Sequence, residues 1–217
     1  MIVIFASFYK MNISEIGLEK GNKMQFILEV AQRRFGMYGL EKTSMQEIAN
    51  DLKLSKGSLY YYFPDKESLY KAVVEKEQNE FLARISEILE KIKEPDLLLL
   101  EYAKTRLSYF RTLLNLSRLR LEAYSDLKPV FRDSIKEFKE KEKEIVKMIL
   151  GNGINTGIFT SVDTDKIASL YLDLLKGLRI SVVNEKRTLF IEQDEFDRLL
   201  DVSVTFTEIF IKGLSIK

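Results

Sequence analysis

The sequence predicts an all-α chain, and three observations carry that expectation. Apolar residues recur at spacings of three and four over long stretches, the period of a helix. Proline and glycine are scarce, 3 and 10 among 217 residues, which leaves few punctuators for a fold of many short strands. Serine, threonine and aspartate stand just ahead of several periodic segments, where helix N-caps belong. The pattern gives about nine helices and no convincing strand. They divide into an N-terminal extension over 1–20, a three-helix unit over 21–81 and a larger helical unit over 82–217.

The first helix is expected from about Lys23 to Tyr38, with Phe26, Ile27, Val30, Ala31 and Phe35 on one side. Gly39 follows its last periodic residue as a C-cap should. The second opens at Thr43-Ser44, where Ser44 and Glu47 have capping-box spacing, and buries Met45, Ile48, Ala49 and Leu52. Ser55 caps a short third helix from Lys56 to about Tyr62, and Pro64 stops it because proline lacks the amide and disfavours helical geometry before it. Asp65 caps a fourth, expected from Lys66 to about Lys93. At 1.5 Å per residue that helix spans roughly 42 Å, long enough to belong to both halves of the molecule.

Pro95 near a first-turn position starts a segment expected to run helical from Leu97 to Tyr124. Lys128-Pro129 interrupts it. The next helix is expected to reach Leu150 and end in the turn signal Gly151-Asn152-Gly153. After a Thr156-Gly157 corner, Asp163 or Thr164 caps an apolar helix with the stripe Ile167, Leu170, Tyr171, Leu174, Leu175 and Leu178. The last helix begins near Asp194 and presents Phe196, Leu199, Leu200, Phe206, Ile209 and Phe210.

Composition narrows the function. Hydrophobic content of 46% and charged content of 31% describe a globular protein. Cysteine and histidine are both absent. That removes disulfides, thiolate metal sites, the commonest general base and the commonest metal ligand, so no catalytic residue, metal or cofactor is expected. The apolar run Ile2 to Ala6 is too short to span a bilayer and lacks the flanks of a secretory signal. It reads as an extension outside the fold or a start-site artefact, with Met11 and Met24 as alternative starts, and a cytoplasmic location is expected.

Residues 43–63 carry the chemistry. Two short capped helices joined by a tight turn have helix-turn-helix geometry. In the second of them only Leu59 and Phe63, four apart, look like core anchors. Ser55, Lys56, Gly57, Ser58, Tyr60 and Tyr61 are polar, small or amphipathic. Such groups donate to phosphate oxygens and base edges, and glycine lets backbone approach a groove. From Lys20 to Lys66 eight Lys/Arg face five Asp/Glu, a local basic excess suited to polyanions.

These residues bear a family resemblance. Ile27-Leu28, Ala31, Phe35, Gly39, Thr43-Ser44, Ile48-Ala49, Ser55-Lys56-Gly57, Leu59-Tyr60, Phe63 and Lys66-Glu67 resemble the DNA-binding domain of the TetR family. The run Ser55 to Leu69 is especially similar to its multidrug-sensing members. The likeness covers about residues 22–70. Three residues depart from it: Arg34 stands where an apolar residue is usual, Val30 replaces a frequent alanine, and Lys53 takes a turn position often held by glycine. A left-handed Lys53 would carry strain of roughly 1–2 kcal/mol.

The resemblance implies a bacterial transcriptional regulator, most often a repressor. It implies that Thr43 and Ser44 offer donors to a phosphate beside a helix N-terminus, that Lys56, Gly57, Ser58 and Tyr61 face the major groove, and that Tyr60 and Lys66 hold the DNA backbone. Tyr62 is expected to pack inward. It further implies a C-terminal domain that dimerises and holds a small molecule. Apolar content in the last two helices, about 164–184 and 194–212, agrees with dimerisation, and Gly177 would let two helices approach closely. Candidate pocket residues are Tyr102, Arg106, Tyr109, Phe110, Tyr124, Phe131, Tyr171 and Leu174, which combine aromatic bulk with polar tips. The charge run Lys136 to Lys147 is expected to be a solvated helix face.

The mechanism expected is a population shift: a dimer reads a pseudo-palindromic operator with recognition helices about 34–36 Å apart, and an effector beside the long fourth helix changes that separation. The alternative is an effector-independent or chromosome-organising DNA-binding protein of the same fold. An enzyme is disfavoured by the missing His and Cys and by the lack of a phosphate-cradling or paired-carboxylate signature.

Overall fold

The computed structural model describes residues 20–112, 129–186 and 193–216. Among the described residues there are eight helices: α1 (Lys20–Tyr38), α2 (Met45–Asp51), α3 (Lys56–Tyr62), α4 (Lys66–Lys91), α5 (Pro95–Thr112), α6 (Pro129–Asn155), α7 (Thr164–Lys186) and α8 (Gln193–Leu214). One isolated bridge, Phe159 with Ser215, is the extended pairing seen among them. The all-α expectation holds. The extension over residues 1–19, the segment beyond Thr112 that includes Tyr124, and the side chain of Phe110 lie outside the described residues.

Local signals place the first four helices. Ser44 and Glu47 form the full capping box at α2, Ser55 accepts from the Ser58 amide at α3, and Asp65 accepts from the Ser68 amide at α4. Each satisfies an amide that the first helical turn would otherwise leave unpaired. Gly39 has φ +80° and closes α1 through its amide to the Phe35 carbonyl. α4 ends at Lys91, two residues short of the expected Lys93, capped by Ile92.

α4 is the shared element. Near its start Leu69, Tyr70 and Val73 pack with Ile27, Phe35, Ile48 and Leu59 of α1–α3; further along Phe81, Ile85 and Ile88 enter the core built by α5 and α6. The Tyr70 ring makes edge contacts with Phe35 at 4.9 Å and Phe131 at 5.4 Å, an attractive geometry for aromatic quadrupoles. Polar bonds run parallel to these rings. Gln32 of α1 donates to Glu77 and Gln78 donates to Ser134 Oγ of α6, at 3.2 Å in each case. α7 and α8 pack together, α7 against α6 and α8 against α5.

Three expectations need correction. Gly151-Asn152-Gly153 is no turn, because α6 continues through it to Asn155. The reversal comes at Gly157, with φ +73°. Gly153 serves packing instead: a Cβ there would meet Phe159 Cδ2 at 2.0 Å, so its bare backbone is the surface on which the Phe159 ring lies. The Lys136–Lys147 run is solvated on one face only, since Glu142 within it has no exposed surface. Leu174, expected to line a pocket, is 41% exposed, as Leu170 is at 48%. One face of α7 buries Ala168, Tyr171 and Leu175, and the adjoining face carries these two leucines outward.

The glycines of α6 give a paired prediction. Gly153→Ala is expected to cost about 1–3 kcal/mol through overpacking against Phe159. Gly151→Ala meets nothing within 4 Å and is expected to stabilise by about 0.5–1 kcal/mol through helix propensity. Urea midpoints of the two variants test this; equal shifts would refute the packing role of Gly153.

Candidate nucleic-acid interface

α2 and α3 are too short to be stable alone, so their orientation is set by what anchors them. Leu59 and Phe63 enter the core of α1–α4, as do Met45, Ile48 and Ala49. The turn between the helices closes with Lys53 and Leu54 amides donating to the Asn50 and Ala49 carbonyls. Lys53 has φ +54°, the one positive-φ residue other than glycine among the described residues. The strain foreseen for that position is therefore present.

Arg34 explains its own departure from the family pattern. Its guanidinium reaches across from α1 to α2, 3.2 Å from Glu47 and 3.1 Å from Asp51. Both carboxylates are nearly half exposed, so each contact contributes at most about 1 kcal/mol. The value of the pair lies in fixing direction. Arg34 latches both ends of α2, and Glu47 passes the restraint to Ser44. The Ser44 hydrogen bonds, with Arg34 adding to them, hold the Glu47 carboxyl below its ordinary value of 4.5, and the Ser68 amide does the same for Asp65 below 3.8. A lowered carboxylate supports the fold above its unfolded pKa and loses that support as pH falls through the folded one. These two caps are therefore fully present at neutral pH and are lost as pH falls below the ordinary carboxylate values and through the lowered ones.

With the anchors turned inward, the rest of α3 faces out. Ser55, Lys56, Gly57, Tyr60 and Tyr61 are exposed and Ser58 is half-buried. Tyr61 is 72% exposed, the more outward of the two exposed α3 tyrosines. Lys56 Nζ sits 5.7 Å from the Tyr60 ring centre. Tyr62 packs inward as expected, edge to face with Tyr61 at 5.2 Å and beneath Lys23 Nζ at 5.8 Å. A Cβ on Gly57 would approach only Ser55 Oγ, at 4.0 Å. The chain's own packing does not require glycine there.

A hollow opens between the start of α2 and α3, bordered by Lys42, Ser44, Gln46, Lys56, Tyr60 and Lys66. Lys42 and Gln46 were not singled out from sequence, although Lys42 stands two residues ahead of a recognisable cap. The donors expected of Thr43 and Ser44 are engaged or covered here. The Ser44 amide and hydroxyl both donate to Glu47, at 2.9 and 2.8 Å. The Thr43 amide donates to the Leu40 carbonyl at 3.4 Å, and the Thr43 side chain is buried. Lys66 Nζ donates to the Leu40 carbonyl at 2.8 Å, which fixes its charge at the rim of the hollow.

The candidate pocket residues sort differently. Tyr102, Arg106 and Glu142 form a buried cluster between α5 and α6: Tyr102 Oη and Arg106 Nε both contact Glu142 Oε1, at 3.1 and 2.8 Å. Tyr171 is buried beside Phe206 and Phe210, with its hydroxyl 3.0 Å from Thr207 Oγ1; burial pushes its pKa up. Phe131 belongs to the Tyr70 contact and half-buried Tyr109 lies against Phe81.

Residues 27–73 match the model of the bacterial regulatory proteins of the tetR family. A transcriptional regulator from Cytophaga hutchinsonii, solved as a crystal structure, is 39% identical, with a TM-score of 0.78 over 89% of this chain and 99% of that one. The chain belongs to the TetR family. The helix-turn-helix regulator YuxN of Bacillus subtilis is 38% identical over 73 residues, 34% of this chain. That stretch spans only 25% of YuxN. The transcriptional regulator FadR of Bacillus subtilis, solved in complex with stearoyl-CoA, shares the TetR-family fold at 18% identity, with a TM-score of 0.69 over 88% of this chain and 98% of that one.

Relief of the turn strain tests the geometry of this region. Lys53→Gly is expected to raise stability by about 1 kcal/mol, since only the β-carbon makes the left-handed conformation costly. A denaturation midpoint that falls would show that Lys53 makes a contact worth more than its strain.

Proposed function

We propose that this TetR-family protein is a ligand-responsive regulator of transcription, acting chiefly as a repressor, with α3 lying in the major groove of operator DNA. The observation that carries this is the outward row of Lys56, Gly57, Tyr60 and Tyr61 on a helix whose remaining side chains anchor it. An exposed tyrosine beside a glycine that packing does not need is poor surface for a protein alone and good surface for a groove. Lys42, Lys56 and Lys66 around the adjoining hollow fit phosphate oxygens, which position the helix without reading sequence. Ser44 acts as the cap that aims α2, and Ser55 and Ser58, whose hydroxyl oxygens are 2.8 Å apart, present oxygens toward base edges.

Dimerisation is proposed through α7 and α8. Leu170, Leu174 and Gly177 form one outward row on α7, and Val202 and Ile209 form another on α8. Two such helices from each subunit bury four apolar rows in an isologous bundle. The symmetric copy then sets the second α3 one helical turn along the DNA. An effector held by the C-terminal helices shifts the population between DNA-competent and released arrangements. Support for a sensor over an effector-independent protein comes from the FadR neighbour, which carries stearoyl-CoA on the same fold. Among the described residues no helix is long and apolar enough to cross a membrane.

The test is titration of a duplex, selected from a random pool, across a salt series. Wild-type affinity is expected to fall steeply with salt, and Lys56→Ala to flatten the log–log slope by about one unit. Gly57→Ala is expected to leave the fold intact while weakening binding. Absence of binding at 50 mM salt, or an unchanged slope in Lys56→Ala together with full affinity in Gly57→Ala, would overturn the assignment of α3.

A further inference from the structure

The regulatory half buries a charged pair that stability alone does not explain. Arg106 of α5 is 1% exposed and Glu142 of α6 is fully covered. Taking both charges out of water carries a desolvation penalty that their attraction repays only in part, and well-packed apolar residues of similar volume often do as well or better. The surroundings are suited to such residues: the Phe81 ring lies between Tyr102 at 6.4 Å, Tyr109 at 6.0 Å and Phe138 at 5.6 Å. An ion pair kept in this place suggests that one of its members has another partner.

A second feature points to the same spot. A cleft of about 140 Å³ runs between α6 and α7, and the buried Glu142 is among the residues that line it. Lys139, Lys143 and Lys176 stand along its walls, with Glu140 and Asp173 between them. Lys143 also contacts Asp165 at 3.3 Å and Glu140 at 3.1 Å. An anion entering between these walls meets the Glu142 carboxylate, which Arg106 Nε contacts at 2.8 Å. The planar fork of arginine suits one carboxylate as well as another.

We propose that Arg106 is a carboxylate-binding site which Glu142 occupies here, and that the effector is a small molecule joining a carboxylate to an apolar body. The ligand carboxylate replaces Glu142 on Arg106, and Tyr102 donates to it as it now donates to Glu142. Its apolar body lies against Leu172 in the wall of the cleft. Displaced from Arg106, Glu142 turns toward the lysines of the cleft and α6 loses its polar tie to α5. The same helix holds α4 through Phe131 and Ser134, so the exchange is felt at the base of α1–α3. This assignment rests on the regulator proposed above and specifies its effector.

The probes are octanoate, 1-octanol and octylamine, which share a chain and differ in headgroup. Melting temperatures and operator affinities are measured for the full chain, for Glu142→Gln and for the double variant Arg106→Met with Glu142→Met. Octanoate alone is expected to raise the wild-type melting temperature and to release DNA. Glu142→Gln removes the competing carboxylate, so octanoate is expected to bind about tenfold tighter or more. The double variant removes both charges together, so it is expected to fold and to show no shift in melting temperature with octanoate. The proposal is overturned if octanoate has no effect on wild type, if octylamine acts more strongly, if Glu142→Gln gains nothing, or if the double variant responds as wild type does. DNA binding measured without any probe decides the regulator proposal separately.

Discussion

Tyr70 is held from two sides at once, and the architecture follows from that. Its ring, almost wholly covered, meets Phe35 from the N-terminal helices and Phe131 from α6. α4 can therefore neither tilt in the first core nor slide along the second without uncovering the same aromatic group. Interiors packed at crystal-like density have little slack for such a movement. Parallel polar bonds, Gln32 to Glu77 and Gln78 to Ser134, add direction to a contact that would otherwise be only apolar. One helix is thus shared by the packing of α1–α3 and that of α5 and α6.

The N-terminal unit spends its interactions on aiming a short helix. α3 has only 7 residues and buries Leu59 as its single fully covered side chain. The Phe63 anchor, the strained Lys53 turn and the Arg34 latch fix it from outside. What these restraints leave exposed is an ordered row of lysine, glycine and tyrosine. A helix whose partners are elsewhere can present its functional groups without adapting them to its own packing, which is what preorganised recognition requires.

Features read from local chemistry were legible in the sequence. Ser44 with Glu47, Ser55 and Asp65 each cap through bonds within three residues, and Gly39 and Lys53 take left-handed conformations that neighbouring residues already foreshadow. Contacts made over long sequence distances were not legible. Gly151 and Gly153 look like chain breakers, yet Gly153 is shaped by Phe159 arriving after the reversal. Glu142 sits among alternating charges that pair at i, i+4, and nothing local distinguishes it from Glu140. Its partner lies 36 positions away. Leu174 and Tyr171 share a helix that is apolar on two faces, and periodicity cannot tell core from outer surface when both are greasy. Arg34 was visible as an oddity, but its reason, Asp51, lies 17 positions on in another helix.

Amide hydrogen exchange along α4 is the most direct measure of whether one rod joins the two cores. If Tyr70 is the shared constraint, Phe131→Ala will lower protection to a similar degree at Leu69–Val74, within the N-terminal core, and at Phe81–Ile88, within the C-terminal one. Loss confined to the C-terminal stretch, with the first unchanged, would show that the halves open independently and that α4 does not transmit between them.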